Sequence, residues 1–146
     1  MRLTVHSDYG LRVLIFLAAK GGAAATIPEI AGAYDISRAH LMKVVNELGR
    51  LGYVATTRGR KGGIVLARAP AAIRIGEVVR QTEENLALVE CFSKEKGAGC
   101  RIDGACRLKG ALAQALGAFL DVLDGYTLED IVKGRSAPLL RRLRIA

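Results

Sequence analysis

The stretch Ser37-Arg38-Ala39-His40-Leu41-Met42-Lys43-Val44-Val45-Asn46-Glu47-Leu48, with the run Arg58-Gly59-Arg60-Lys61-Gly62-Gly63 that follows it, decides the reading of this chain. Leu41, Val44, Val45, Leu48 and Leu51 recur at helical spacing and make one apolar stripe. Ser37 stands where an N-cap belongs, so a helix is expected from there to about Leu51. The opposite side carries Ala39, Met42, Lys43, Asn46 and Arg50, with Arg38 and His40 at the N-terminal end. Gly52–Thr57 and Ile64–Ala67 have strand character, and the glycine-rich run between them reads as a hairpin tip. A hairpin directly after such a helix is a wing. Its glycines permit the bend, and its cations can clamp phosphates or enter a minor groove. An ordinary solvated face would account for any one of these residues; helix and wing together predict DNA binding. The expected contacts are Ser37, Arg38, His40 and Lys43 from the helix, because the N-terminal residues of a recognition helix reach base edges. Arg58, Arg60 and Lys61 are the expected contacts from the wing.

Two more helices precede this unit. Ser7 and Asp8 can cap the first, whose Leu11, Leu14, Ile15 and Ala18 share a face and which Gly21-Gly22 should end. Thr26 caps the second, with Pro28 in its first turn and Glu29 at the positive end of its dipole. Tyr34-Asp35-Ile36 is a turn, which completes the outline of a helix-turn-helix. The N-terminus mimics a secretory signal through Arg2, the apolar run Val13–Ala19 and Ala23-Ala24-Ala25. Asp8 and Arg12 break the apolar part, and so short a run cannot span a bilayer. An amphipathic helix and a cytoplasmic location, where thiols stay reduced, are therefore expected.

At 146 residues and 51% apolar content the chain is one domain, with room for an appended helix. Its 22 basic against 14 acidic residues leave a net charge of +8, which favours a polyanionic partner. The fold class predicted is mainly α with a small β-hairpin wing, namely a winged helix-turn-helix unit plus a long dimerisation helix. Residues 1–82 form the DNA-binding part, 83–106 a loop, 107–133 the dimerisation helix with a last short helix, and 134–146 a tail. A short helix is expected over Ile75–Gln81. In the long helix, about Arg107 to Leu123, Leu108, Leu112, Leu116, Phe119, Leu120 and Leu123 make a continuous stripe. That is more apolar surface than one side of a lone surface helix needs, so it points to a subunit interface, with packing on its own domain as the plain alternative. Thr127 caps a last turn through Leu128, Ile131 and Val132, and the arginine-rich tail from Gly134 is expected to fray or to bind phosphate weakly.

The loop holds the chain's three cysteines, Cys91, Cys100 and Cys106, with Gly97, Gly99 and Gly104 among them. Three thiolates turned inward on a flexible loop suit a soft metal or an iron–sulfur cluster. Neither spacing is the close pair common in zinc sites, and an odd count argues against a disulfide framework. Zinc and three free thiols remain as alternatives. A catalytic thiol protein is a further one, but there is no C-x-x-C pair, and neither His6 nor His40 lies near the cysteines in sequence. The chain is therefore expected not to be an enzyme, with no catalytic residues.

Taken together, Met1-Arg2-Leu3-Thr4, Asp8-Tyr9-Gly10-Leu11-Arg12, the wing through Ile64, Ile73-Arg74-Ile75-Gly76-Glu77-Val78-Val79 and Ala105-Cys106-Arg107-Leu108-Lys109 resemble a known pattern. It is that of the bacterial winged-helix iron–sulfur regulators, and the resemblance covers essentially the whole chain and is nearest the nitric-oxide-sensing branch. It implies a homodimeric repressor of palindromic operators that carries an iron–sulfur cluster, [4Fe–4S] in preference to [2Fe–2S], and lets go of DNA when the cluster reacts with nitric oxide. A regulator of the same family answering to iron–sulfur or oxidative status is the alternative. Cys91, Cys100 and Cys106 would supply three ligands, and the resemblance points to Asp8 of the partner subunit as the fourth. Two departures stand out: eight residues separate the first two cysteines where about five are usual, and Lys109 occupies a position that is histidine in one branch. A charged lysine cannot be a ligand.

Overall fold

The computed structural model describes residues 2–59, 62–92, 100–134 and 136–145. Its helices are α1 (Val5–Ala19), α2 (Ile27–Tyr34), α3 (Arg38–Arg50), α4 (Ile75–Thr82), α5 (Arg107–Asp124), α6 (Leu128–Val132) and α7 (Ser136–Leu143). Strands β1 (Val54–Thr57) and β2 (Gly63–Leu66) pair antiparallel, with Val54 opposite Leu66 and Thr57 opposite Gly63. The mainly helical winged architecture is the one the sequence predicts.

α1 starts earlier than expected. Thr4, not Ser7 or Asp8, is the N-cap: its hydroxyl accepts from the Ser7 backbone N–H, and Ser7 is fully buried inside the first turns. Thr4 in turn donates its backbone N–H and its hydroxyl to the Glu83 carboxylate, a partner 79 residues away that no local pattern announces. α2 opens at the expected cap, Thr26, which with Glu29 forms a capping box, and closes at Asp35 in the left-handed conformation (φ 54°). Ser37 holds the N-cap position of α3, but its side chain makes no capping bond.

The core lies where α1 crosses α3. Val13, Leu14, Phe16 and Leu17 meet Leu41, Val44 and Leu48, with Ile30, Tyr53, Ile73 and Leu128 closing the ends. Ala25 exchanges two backbone hydrogen bonds with Ile64 (2.9 and 2.7 Å), so the α1–α2 loop is stitched to the wing. The chain then returns to this core. Leu128 of α6 is fully buried, and the predicted frayed tail is instead the helix α7, with Leu143 buried and Leu139 and Ile145 packed on the core. The pair Leu139 and Leu143 at i, i+4 gives α7 an apolar edge, and Pro138 lies in its first turn, where no backbone N–H is required. α5 differs from the rest, because none of its 18 residues is buried and Leu108 and Val122 are more than 60% exposed. No helix among the described residues is long and apolar enough to cross a membrane.

Candidate nucleic-acid interface and metal centre

The stripe of α3 that the sequence assigns to the core is buried, which leaves Ser37, Arg38, Met42, Lys43, Asn46 and Arg50 exposed along its other side. Arg58, just beyond β1, is exposed as well. Arg38, Lys43, Arg50 and Arg58 take part in none of the ion pairs among the described residues, so their charge is free to meet a polyanion. His40 is half-buried, its ring set edge-on against Tyr9 at 4.9 Å, which fixes its direction relative to α1. Arg60 and Lys61 lie outside the described residues. Beside them Gly62 is held by a bond from its N–H to the Gly59 carbonyl (2.8 Å), and a Cβ there would meet the Thr57 carbonyl oxygen at 2.6 Å. Only glycine lets the hairpin close this tightly.

Behind this face sits a knot that the sequence reading missed. Arg68, just past β2, donates from Nε to the Gly52 carbonyl (3.1 Å) and from Nη2 to the Leu51 carbonyl (3.1 Å). It thereby satisfies carbonyls that the end of α3 leaves unpaired. Its guanidinium lies 4.5 Å over the Tyr53 ring, and Nη1 reaches Glu77 of α4 (3.3 Å). Tyr53 donates its hydroxyl to Gln81 (2.8 Å), and burial, with the nearby Glu77 charge, pushes its pKa up to about 12. A basic residue at the foot of a wing was the available signal, but its partners are far apart in sequence.

Two of the three cysteines, Cys91 and Cys106, lie at the base of α5. Cys91 is half-buried in the 3-10 turn Glu90–Phe92, and Cys106 is the half-buried N-cap of α5, where the helix dipole favours an anionic group. Both line a groove of about 1300 Å³, together with Phe92, Asp103, Lys109 and Leu116. Cys100 is exposed at the head of a turn in which Asp103 N–H donates to the Cys100 carbonyl (3.0 Å). Lys109 Nζ bonds Asp103 Oδ1 (2.7 Å); that bond, with the sulfurs of Cys91 and Cys100 contributing, raises the lysine's pKa. The ammonium is thus engaged by Asp103, in the groove that Cys91 and Cys106 line. No group of three or more metal-donor residues is closed up among the described residues, while Gly97 and Gly99 lie outside them. The donor chemistry fits an iron–sulfur group: soft thiols around a roomy groove, with a cation beside them. Asp8 is not among the residues that line this groove. It sits in the first turn of α1, paired with Arg12 through two contacts (2.8 and 3.1 Å) and 45% exposed.

A helix-turn-helix whose recognition face carries unpaired cations, followed by a hairpin wing, defines a winged-helix transcriptional regulator. The chain belongs to the Rrf2 family, described as iron-dependent transcriptional regulators, whose pattern matches residues 3–134. Among its relatives, the HTH-type transcriptional regulator NsrR of Bacillus licheniformis is 56% identical over 133 residues, covering 90% of this chain and 92% of that one. NsrR of Bacillus subtilis is 54% identical over 136 residues, covering 92% of each. Among solved structures, T. potens IscR superposes with a TM-score of 0.73 at 25% identity, covering 91% of this chain and 87% of its own. CymR, the global cysteine regulator of B. subtilis, gives 0.70 at 29% identity, covering 90% and 95%.

Proposed function

We propose that this chain is an iron–sulfur repressor that binds palindromic operator DNA as a homodimer in the cytoplasm and releases it on exposure to nitric oxide. The observation that carries the reading is the pairing of two features on one short chain: the cations Arg38, Lys43, Arg50 and Arg58, which join no ion pair among the described residues, and the thiol-lined groove at the base of α5. Arg38, Lys43, Ser37 and His40 read bases, and Arg58, Arg60 and Lys61 hold phosphates. Two α5 helices, each exposing an apolar stripe, form the dimer. Cys91, Cys100 and Cys106 hold the cluster, [4Fe–4S] in preference to [2Fe–2S], with Asp8 of the partner subunit as fourth ligand. When bound, the cluster supplies an iron site that reacts with nitric oxide. The chain's own part is mechanical: Cys106 caps α5, and Glu83 at the head of the cysteine loop holds Thr4, the cap of the helix that bears Asp8. Any rearrangement of the loop is felt at both ends of that linkage. Lys109, tied to Asp103, leaves no donor where another branch of the family has histidine, which favours the nitric-oxide branch over one answering to iron–sulfur status.

The test is an anaerobic titration with nitric oxide, followed by visible absorbance and by anisotropy of an operator found by selection from random DNA. Cluster absorbance and operator affinity should fall together. In the same assay, Arg60→Ala with Lys61→Ala should flatten the salt dependence by about 0.9 of log–log slope per lost phosphate contact. Operator binding that survives complete loss of the absorbance would overturn the sensing role, and an unchanged salt slope would overturn the wing assignment.

A further inference from the structure

The segment Ile73–Val79 is used by neither the DNA face nor the cysteine groove, yet it is built around the far end of α5. Asp124, the last residue of α5, receives both nitrogens of Arg80 at 2.6 Å each. Arg74 Nη1 donates to the Asp124 carbonyl at 2.8 Å. Two backbone bonds flank this seat, from Ile75 N–H to the Tyr126 carbonyl (3.0 Å) and from Leu128 N–H to the Ile73 carbonyl (2.8 Å). Gly76 completes it, because a Cβ at that position would fall on the Asp124 carboxylate and crowd Arg80 Nη1. The glycine is needed for the space it leaves, since its backbone φ is not in the left-handed region.

We propose that Asp124, seated among Arg74, Gly76 and Arg80, is the joint that sets the angle between α5 and the DNA-reading unit, and so the half-site spacing the dimer accepts. The inference rests on the dimeric DNA-binding reading above and adds a specificity-determining position to it. Of α5, Leu123, the neighbour of Asp124, is the residue that packs against the core, and none of the helix is fully buried. Its angle is therefore held mainly at this end. Its opposite end is Cys106, in the groove where the cluster is placed. An 18-residue helix is about 27 Å long at about 1.5 Å per residue, so a swing of about 5° moves its far end by about 2 Å. That is a large part of the rise of one base pair, about 3.4 Å. Among the described residues, Asp124 and Arg80 make no hydrogen bond or ion pair with a DNA-facing residue, so they act by position.

The experiment compares wild type, Asp124→Asn, Gly76→Ala, Asp124→Ala and the Gly76→Ala/Asp124→Ala double variant as cluster-loaded full chains. Without DNA, the distance between two labels is measured, one per subunit, on a keto amino acid incorporated at the exposed position Met42 of α3. The single variants should shift or broaden that distance by about 2 Å or more, as the lever estimate requires. On synthetic palindromes whose half-site spacing varies by one base pair, wild type should prefer one spacing by about tenfold, and the variants by under about threefold, with affinity for a single half-site unchanged. Adding Gly76→Ala to Asp124→Ala should change nothing further, because the glycine's task is to admit the aspartate. Label distances and spacing preference identical to wild type in both Asp124→Asn and Gly76→Ala overturn the joint. A wild type with a sharp label distance but no preference among palindromes defeats the operator reading instead, and the DNA-free distances still decide the joint.

Discussion

Replacing Arg68 with alanine tests whether the knot behind the wing holds the end of the recognition helix. The side chain makes two charge-assisted bonds to the Leu51 and Gly52 carbonyls, stacks on Tyr53 and pairs with Glu77. Bonds to a charged group contribute about 1.5–3 kcal/mol each, and the lower end applies because the side chain is 34% exposed. The stack adds about 0.5–1 kcal/mol. The Glu77 pair, with both partners about a third exposed, adds under about 1 kcal/mol. A loss of about 3 kcal/mol follows after allowing for relaxation, or about 2 M in urea midpoint at a slope of about 1.5 kcal/mol/M. Chemical denaturation followed by circular dichroism reads this directly. Arg68→Lys should recover only part of it, because one ammonium cannot reach two carbonyls and Glu77 at once. Operator affinity should fall in the alanine variant while its salt slope stays put, since Arg68 is engaged inward and neutralises no phosphate. A midpoint drop under about 0.3 M at unchanged slope would refute the argument that this residue binds the helix end.

Two further outcomes follow from the N-terminal turn. Burial opposes ionisation of Glu83, but hydrogen bonds from Ser7 and Thr4 outweigh it and hold the carboxyl below its ordinary value of 4.5. Its contribution to stability is thus present above about pH 4.5 and is lost as pH falls through the lowered folded-state value. Glu83→Gln should be less stable than wild type at pH 7 by urea midpoint, and the gap should narrow as pH falls below 4.5; an equal gap at pH 7 and pH 3 would remove the linkage. Asp8→Ala gives up only an exposed i, i+4 pair worth about 0.3–0.5 kcal/mol, so the fold should be unaffected. Cluster absorbance and nitric-oxide kinetics should both change, and spectra and rates identical to wild type would return Asp8 to being Arg12's helical partner.

Much of this was legible in the chain because it depends on near neighbours. The apolar stripe of α3, the helix caps Thr26 and Thr127 and the glycine-rich hairpin are set by contacts a few residues apart, where sequence spacing and spatial spacing coincide. The cysteines were conspicuous because thiols are chemically distinctive and confined to one loop, although the groove that Cys91 and Cys106 share was not. Where local pattern alone was used, it erred at the edges: Ser7 was a plausible cap, but Thr4 is chosen because Glu83 comes from across the fold to hold it. The tail was assigned to solvent on its arginines, yet Leu143 finds a place in a core that exists only once α1 and α2 are packed. The Arg68 knot and the Asp124 seat belong to the same category. Their members lie 9 to 50 residues apart, and a charged residue's partner is decided by which backbone carbonyls and carboxylates the finished packing brings within reach. Local periodicity determined the elements, and the tertiary structure alone decided how they are tied together, because long-range hydrogen bonds and ion pairs leave no periodic trace in the sequence.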